Sequence, residues 1–201
     1  MAAEPKPTLL SSAALRELRA EVDAFQGAVF VYRIARAAGA DMNEMSRFTG
    51  ADAAEFSRLG QETFAAIEQM PCLTIAAIDG DCFGGALDLI LSFDLRFATE
   101  RSRFSHPGAK LGIVTGFGGT SRWRKVIDSR AARRLFLLNE VFSAADALAL
   151  GLIDGLGEPP AIPPLDPATV QMVKELTIHG ERLNQRQLVM LAERLSAVLS
   201  S

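Results

Sequence analysis

The run Leu73-Thr74-Ile75-Ala76-Ala77-Ile78, followed shortly by Gly84-Gly85, constrains this chain more than any other stretch. The run is uncharged and β-branched, so it reads as a buried strand. Asp79-Gly80 reads as the turn that ends it. The paired glycines open an apolar segment, Ala86 to Phe93, that reads as a buried helix. Glycines at a helix entrance let the backbone come close to a ligand. The first N–H groups of the helix point outward at the positive end of its dipole. That combination holds an oxyanion; the plain alternative is a tight turn packed on a neighbour.

Three further stretches bear on the choice. Ala38-Gly39-Ala40-Asp41 lies upstream, Arg103 to Pro107 follows the helix, and a second glycine-rich turn runs from Gly112 to Thr120. In order they read AGAD, DGxxxGGxxD, xRFxxP and LGIxxGxGGT. Each motif alone is loose, but the four in this order and spacing resemble the crotonase superfamily, the enoyl-CoA hydratase/isomerase family. The resemblance covers about residues 12–156.

The resemblance implies an α/β fold, a ββα spiral core with a C-terminal helical appendage. It implies that the N–H groups of Ala40 and Gly85 share a thioester oxygen, with Gly84 beside them. The carbonyl of Ala38 would face the adenine of coenzyme A. Family hydratases carry two glutamates that position a water and pass a proton. At one of those positions this chain has Asp88, and at the other Gly108. Family members with one carboxylate usually keep the second acid, and this chain keeps the first. Asp88 is therefore the candidate general base, with a purely structural core contact as the alternative. His106, two residues before Gly108, is either a structural histidine or the replacement for the missing glutamate.

The rest of the chain fits an α/β domain. Ser11 or Ser12 caps a helix to about Phe25, with Leu15, Leu18, Val22 and Phe25 on one face and Gly27 ending it. Residues 1–7 read as disordered. Ala28 to Tyr32 reads as a strand buried on both faces, and Arg33 to Asp41 as a loop. Thr49 to Met70 reads as a helix with Phe56, Leu59, Phe64 and Ile67 inward. Asp94 to Ala98 and Ser102 to Ser105 alternate as strands, and the resemblance implies that Asp94 and Arg96 are structural. Arg122, Arg124 and Lys125 start a helix as a solvated face, or as a minority reading contact a pyrophosphate. Ser129 to Leu138 is a further helix, Ser143 to Asp146 caps another that Gly151 closes, and Leu152 to Asp154 returns to a strand.

Pro159, Pro160, Pro163, Pro164 and Pro167 mark a stiff linker. This divides the chain into a core over residues 1–157, a linker over 158–167 and a helical oligomerisation segment over 168–201. In that segment Leu188, Leu191, Leu195 and Val198 form an apolar face over a helix from Asn184 to Leu199, and such a face requires a partner. The resemblance implies a homo-oligomer, a trimer or a dimer of trimers. The chain begins close to its first helix where the family usually has a strand hairpin, and it is short in the C-terminal region.

Hydrophobic residues make up 49% of the chain, ample for a core, and a net charge of −3 argues against nucleic-acid partners. Cys72 and Cys82 read as small core hydrophobes. Met1 to Thr8 is polar and lacks a signal peptide, and no apolar run reaches membrane-spanning length. These features point to a soluble cytoplasmic protein with no membrane partner. The function implied is an acyl-CoA enzyme that stabilises a thioester enolate, with proton transfer, as isomerisation or hydration, at the acyl chain. Coenzyme A enters as part of the acyl-CoA substrate, with no metal and no redox cofactor. The alternative is a non-catalytic binding or scaffolding protein of the same fold. An open tunnel with Ala40 and Gly85 converging favours the enzyme, and a pocket filled by Phe83 or Phe117 favours the scaffold.

Overall fold

The computed structural model describes residues 6–179 and 189–193. In chain order the elements are β1 (Lys6–Leu10), α1 (Ser12–Ala24), β2 (Val29–Ala40), α2 (Met42–Met45), α3 (Gly50–Glu68), β3 (Leu73–Phe83) and α4 (Gly85–Ile90). There follow β4 (Leu95–Ala98), β5 (Arg103–Ser105), α5 (Gly119–Val126), α6 (Ser129–Arg133), β6 (Phe142–Ser143), α7 (Ala144–Ala149), β7 (Gly155–Leu156) and α8 (Pro167–His179). One sheet runs β1-β2-β3-β4-β7, with β5 on the far end of β3 and β6 on β5. All these pairings are parallel except β5 with β6. Strands separated by helices produce such a sheet because parallel neighbours need a crossover.

The helices form where their caps and faces direct. Ser11 accepts from the Ala14 N–H at 3.1 Å and opens α1, which buries Leu15, Leu18 and Val22 against α3. Thr49 and Asp52 close a reciprocal capping box on α3, which buries Phe56, Phe64 and Ile67. Ser143 and Asp146 do the same for α7. Each buried apolar side chain contributes about 1.5–3 kcal/mol. Asp94 and Arg96 are structural, as read. Asp94 accepts from the backbone and hydroxyl of Thr74, both at 2.8 Å, and pairs with Lys174 of α8. Arg96 donates to the carbonyls of Leu152 and Phe93 at 2.8 Å and pairs with Asp154.

Several local expectations are corrected, mostly because strand pairing overrides local turn chemistry. Asp79-Gly80 does not end the central strand. β3 continues to Phe83 and changes partners there: Ile75–Ile78 pair with β4, and Asp81–Phe83 pair with β5. The expected loop from Arg33 is also strand, because β2 follows β3 and shifts register between Ala35 and Ala37. β2 is not buried on both faces: Phe30, Tyr32 and Ile34 are inside, while Val31 is 42% exposed. Lys6 and Pro7, expected to be disordered, lie in β1 on the sheet edge, where a proline is tolerated. Leu152 and Ile153 are buried in a turn, and the strand starts only at Gly155. Arg122 is not on a solvated face; it is buried against Glu68.

α8 docks on the core through buried Met172 and through Lys174, whose Nζ donates to the Cys72 carbonyl at 3.1 Å. Of the second helix expected after the linker, Leu188, Leu195 and Val198 lie outside the described residues. Leu191 lies within them and is partly buried. Among the described residues no helix is long and apolar enough to cross a membrane.

Candidate active site

The partner switch in β3 brings the glycine motifs together. Ala37 of β2 pairs with Cys82 of β3, so the ends of the two strands lie side by side. β2 then carries Ala38-Gly39-Ala40 past the Phe83-Gly84-Gly85 turn. Gly39 has φ +86°, and a Cβ there would fall 2.7 Å from both the Gly85 nitrogen and the Phe83 carbonyl oxygen. Only glycine fits both the conformation and the approach. On the other side of the contact, a Cβ on Gly85 would sit 3.4 Å from the Ala40 nitrogen. The nitrogens of Ala40 and Gly85 therefore border one small space. Gly85 is the first residue of α4, so its N–H has no acceptor within the helix. Gly84 caps α4 with φ 57° and is held by its N–H donating to the Ser105 carbonyl at 2.9 Å.

One turn further along α4, Asp88 is fully buried. Its Oδ2 accepts from the Thr115 hydroxyl. Its Oδ1 has no hydrogen-bond partner and lies 3.6 Å from Nε2 of His106. That is too long for a hydrogen bond but close enough for a proton to pass after a small shift. His106 follows β5, is 4% exposed, and packs its ring at a tilt on Phe136, with centroids 4.6 Å apart; both of its ring nitrogens also lack partners. A buried unpaired polar atom costs about 1–3 kcal/mol, and such costs collect at functional sites. Three such atoms lie on this one pair of side chains, and two of them, Asp88 Oδ1 and His106 Nε2, approach each other.

The packing around the pair shows why it can exist. A Cβ on Gly119 would overlap Oδ1 of Asp88 at 1.7 Å, so the second glycine turn is shaped around that carboxylate. A Cβ on Gly108 would meet the Ile113 carbonyl oxygen at 2.7 Å and the His106 ring at 3.1 Å. The second carboxylate position is thus occupied by backbone and imidazole, and a glutamate does not fit the turn as folded.

The structure brings Ala40, Gly84, Gly85, Asp88 and His106 into one neighbourhood, and Ala38 lies in the strand leading to it. Sequence reasoning assigned no role to Thr115 or Gly119, although both lie in the second glycine-rich turn, where the run of glycines was the signal that could have marked a close approach. Cys82 remains a core residue: burial first, and the charge of Asp88 second, push its thiol far above the range of a reactive cysteine.

Comparison with known proteins bears on the family and the fold. The profile of the enoyl-CoA hydratase/isomerase family matches residues 19–181. A short-chain-enoyl-CoA hydratase of Clostridium acetobutylicum is 34% identical over 122 residues, 61% of this chain and 47% of that protein. A crotonyl-CoA hydratase of Syntrophomonas wolfei is 35% identical over 127 residues, 63% of this chain and 49% of that protein. The matched stretch thus spans about half the length of these relatives. Among solved structures, an enoyl-CoA hydratase from Bacillus anthracis superposes with a TM-score of 0.80 at 25% identity, covering 96% of this chain and 82% of the other. Pseudomonas aeruginosa DspI shares the fold with a TM-score of 0.81 at 24% identity, over 98% of this chain and 88% of the other. With four-fifths of its length matched by one profile and its glycine motifs folded into one site, the chain belongs to the enoyl-CoA hydratase/isomerase family and has the crotonase fold.

Proposed function

We propose that this protein binds an acyl-CoA thioester and catalyses proton transfer at its acyl chain, as an isomerisation or hydration. The observation that carries the reading is the shared space between the Ala40 and Gly85 nitrogens, one helical turn from a buried carboxylate. The thioester oxygen accepts from both N–H groups, which stabilise it as the enolate forms; one such donor lowers a barrier by about 3 kcal/mol. Gly84 lets the thioester approach the turn, and the Ala38 carbonyl receives the adenine. Asp88 takes and returns the proton, with the Thr115 hydroxyl fixing its orientation. His106 is close enough to exchange a proton with Asp88 and fills the place of the second acid. The chemistry proposed draws on no metal or redox cofactor. Coenzyme A arrives with the substrate.

Turnover of a panel of saturated, enoyl and malonyl thioesters tests this reading. Proton transfer on enoyl substrates is the expected result. Hydration of crotonyl-CoA stays below about 10 per second, the median enzymatic value, because Gly108 offers no second acid. No turnover anywhere on the panel, with acyl-CoA still bound, sinks the enzyme reading. It leaves the non-catalytic binding protein, which one observation favours: the Phe117 ring packs directly on Gly85. The relatives, named as hydratases or isomerases, support the enzyme.

The proposal extends to a homo-oligomer, a trimer or a dimer of trimers, in the cytoplasm. Leu111, Val114, Leu137 and Leu138, at the ends of short helical segments and in the loop that flank the site, are each more than half exposed, and apolar surface of that kind marks an interface. A monomer by light scattering at micromolar concentration overturns the oligomer.

A further inference from the structure

Phe117 occupies a seat that two glycines make for it. The residue lies in the second glycine turn, between α4 and α5, and is 4% exposed. A Cβ on Gly60 of α3 would fall 2.1 Å from its Cδ1, and a Cβ on Gly85 would fall 2.9 Å from its Cε2. A side chain at Gly60 would have to displace the ring, and one at Gly85 would crowd it. Phe56 and Phe64 of α3 meet the ring edge-on, with centroids at 5.1 and 5.5 Å. Its backbone is pinned as well. Arg122 donates to the Phe117 carbonyl at 2.7 Å, and its other two nitrogens pair with Glu68 of α3 at 3.0 Å. The ring is therefore a fixed wall rather than a loose side chain.

Its place matters because of what lies beside it. On the reading above, which this inference rests on, the thioester oxygen meets the N–H of Gly85 and the reacting carbons point toward Asp88. Carbons further along the acyl chain must leave the space between α4 and α3. The ring of Phe117 stands in that space, touching both helices at their glycines. We infer that Phe117 is a specificity-determining residue that closes the acyl channel behind the reacting carbons and restricts the protein to short acyl thioesters. Gly60 is part of the device: its missing side chain lets the ring sit deep against α3 while leaving the face of Gly85 narrow but free of a methyl group.

The test is a calorimetric titration of saturated acyl-CoA thioesters, from acetyl- to decanoyl-CoA, into the wild type, Phe117→Ala and Phe117→Leu. Saturated chains give binding without turnover. In the wild type, affinity stops rising beyond the short chains. In both variants the ratio of decanoyl- to butyryl-CoA affinity rises more than tenfold, because each methylene taken up is worth about fourfold. Phe117→Leu keeps most of the apolar fill should Phe117→Ala lose its fold, and thermal melts identify a folded variant. The wild-type length profile decides the matter even if neither variant folds. An affinity that climbs steadily to decanoyl-CoA in the wild type overturns the inference. So does an unchanged length profile in a folded variant. If the wild type binds neither coenzyme A nor any thioester, the acyl-CoA reading itself fails and this inference with it. A protein that binds all lengths alike keeps that reading and loses only the channel stop.

Discussion

Gly85 and Asp88 stand one turn apart on α4, yet they are held by different means. Gly85 is placed by backbone: β2 and β3 pair as far as Ala37 and Cys82, through a register shift after Ala35, and the Gly39 approach then leaves no freedom. Asp88 is placed by side chains and by a turn distant in sequence. Thr115 bonds one of its oxygens, Gly119 makes room for the other, and His106 waits at 3.6 Å. The donor half is set by strand pairing and close backbone approach, while the acid–base half carries three buried side-chain polar atoms without partners. The contrast follows from the chemistry each half serves. Stabilising an oxyanion requires donors fixed in advance. Moving a proton requires groups whose hydrogen bonds are incomplete until substrate arrives.

Four predictions act on this contrast, from the largest effect to the smallest. Asp88→Asn keeps the shape of the carboxylate but cannot accept a proton, and kcat falls about 10²–10⁴-fold while acyl-CoA affinity is retained. Steady-state kinetics beside calorimetry checks it. If His106→Gln abolishes turnover and Asp88→Asn does not, the proton is carried by the imidazole. Gly85→Pro removes one donor N–H at a first helical position, where the backbone accepts proline but the added Cβ also meets the Phe117 ring at 2.9 Å. The loss is about 10²–10³-fold in kcat, and wild-type kinetics from this variant would show that the oxygen is held elsewhere.

Gly119→Ala places a methyl group on Asp88 and tests how rigid the side-chain half is. The overlap costs about 1–3 kcal/mol of stability, the usual range for overpacking. A thermal or denaturant melt reads it, and an unchanged midpoint means that the carboxylate can swing away. The smallest effect concerns the strand under both halves. The Arg101 guanidinium holds the Asp79 carboxyl below its ordinary value of 3.8, and Arg103 does the same for Asp81. Both folded values are depressed. Their contribution is complete above the ordinary carboxyl pKa and is lost as pH falls below it through the folded values. Melting temperature therefore declines on acidification below about pH 4, and the double variant Asp79→Asn, Asp81→Asn loses that part of the decline. An identical acid profile in the variant removes the strand from the account.

The two halves also differed in how far they could be read from the residues. AGAD and Gly84-Gly85 led to the donor half because a backbone function leaves glycine at the positions where nothing else fits. Asp88 and His106 were found as candidates, but their separation, their missing hydrogen bonds and the contribution of Thr115 were not. Those depend on how the 112–119 turn folds across α4, which no local pattern encodes. Strand lengths failed for a related reason. Asp79-Gly80 and Arg33 to Asp41 look like turns locally, and pairing with β5 and β3 makes them strand.

By itself the sequence determined the α/β class, the caps of α1 and α7, the apolar faces of α1 and α3, and the glycine pair at the entrance of α4. Each of these rests on backbone conformation or on periodicity within a few residues, and both are local. Only the tertiary structure decided that β3 changes partners in mid-strand, that Arg122 is buried against Glu68, that Gly108 has no room for a second acid, and that Phe117 stands on Gly85. Those depend on volumes and distances between segments far apart in the chain, where a single Cβ more or less determines what can be a neighbour.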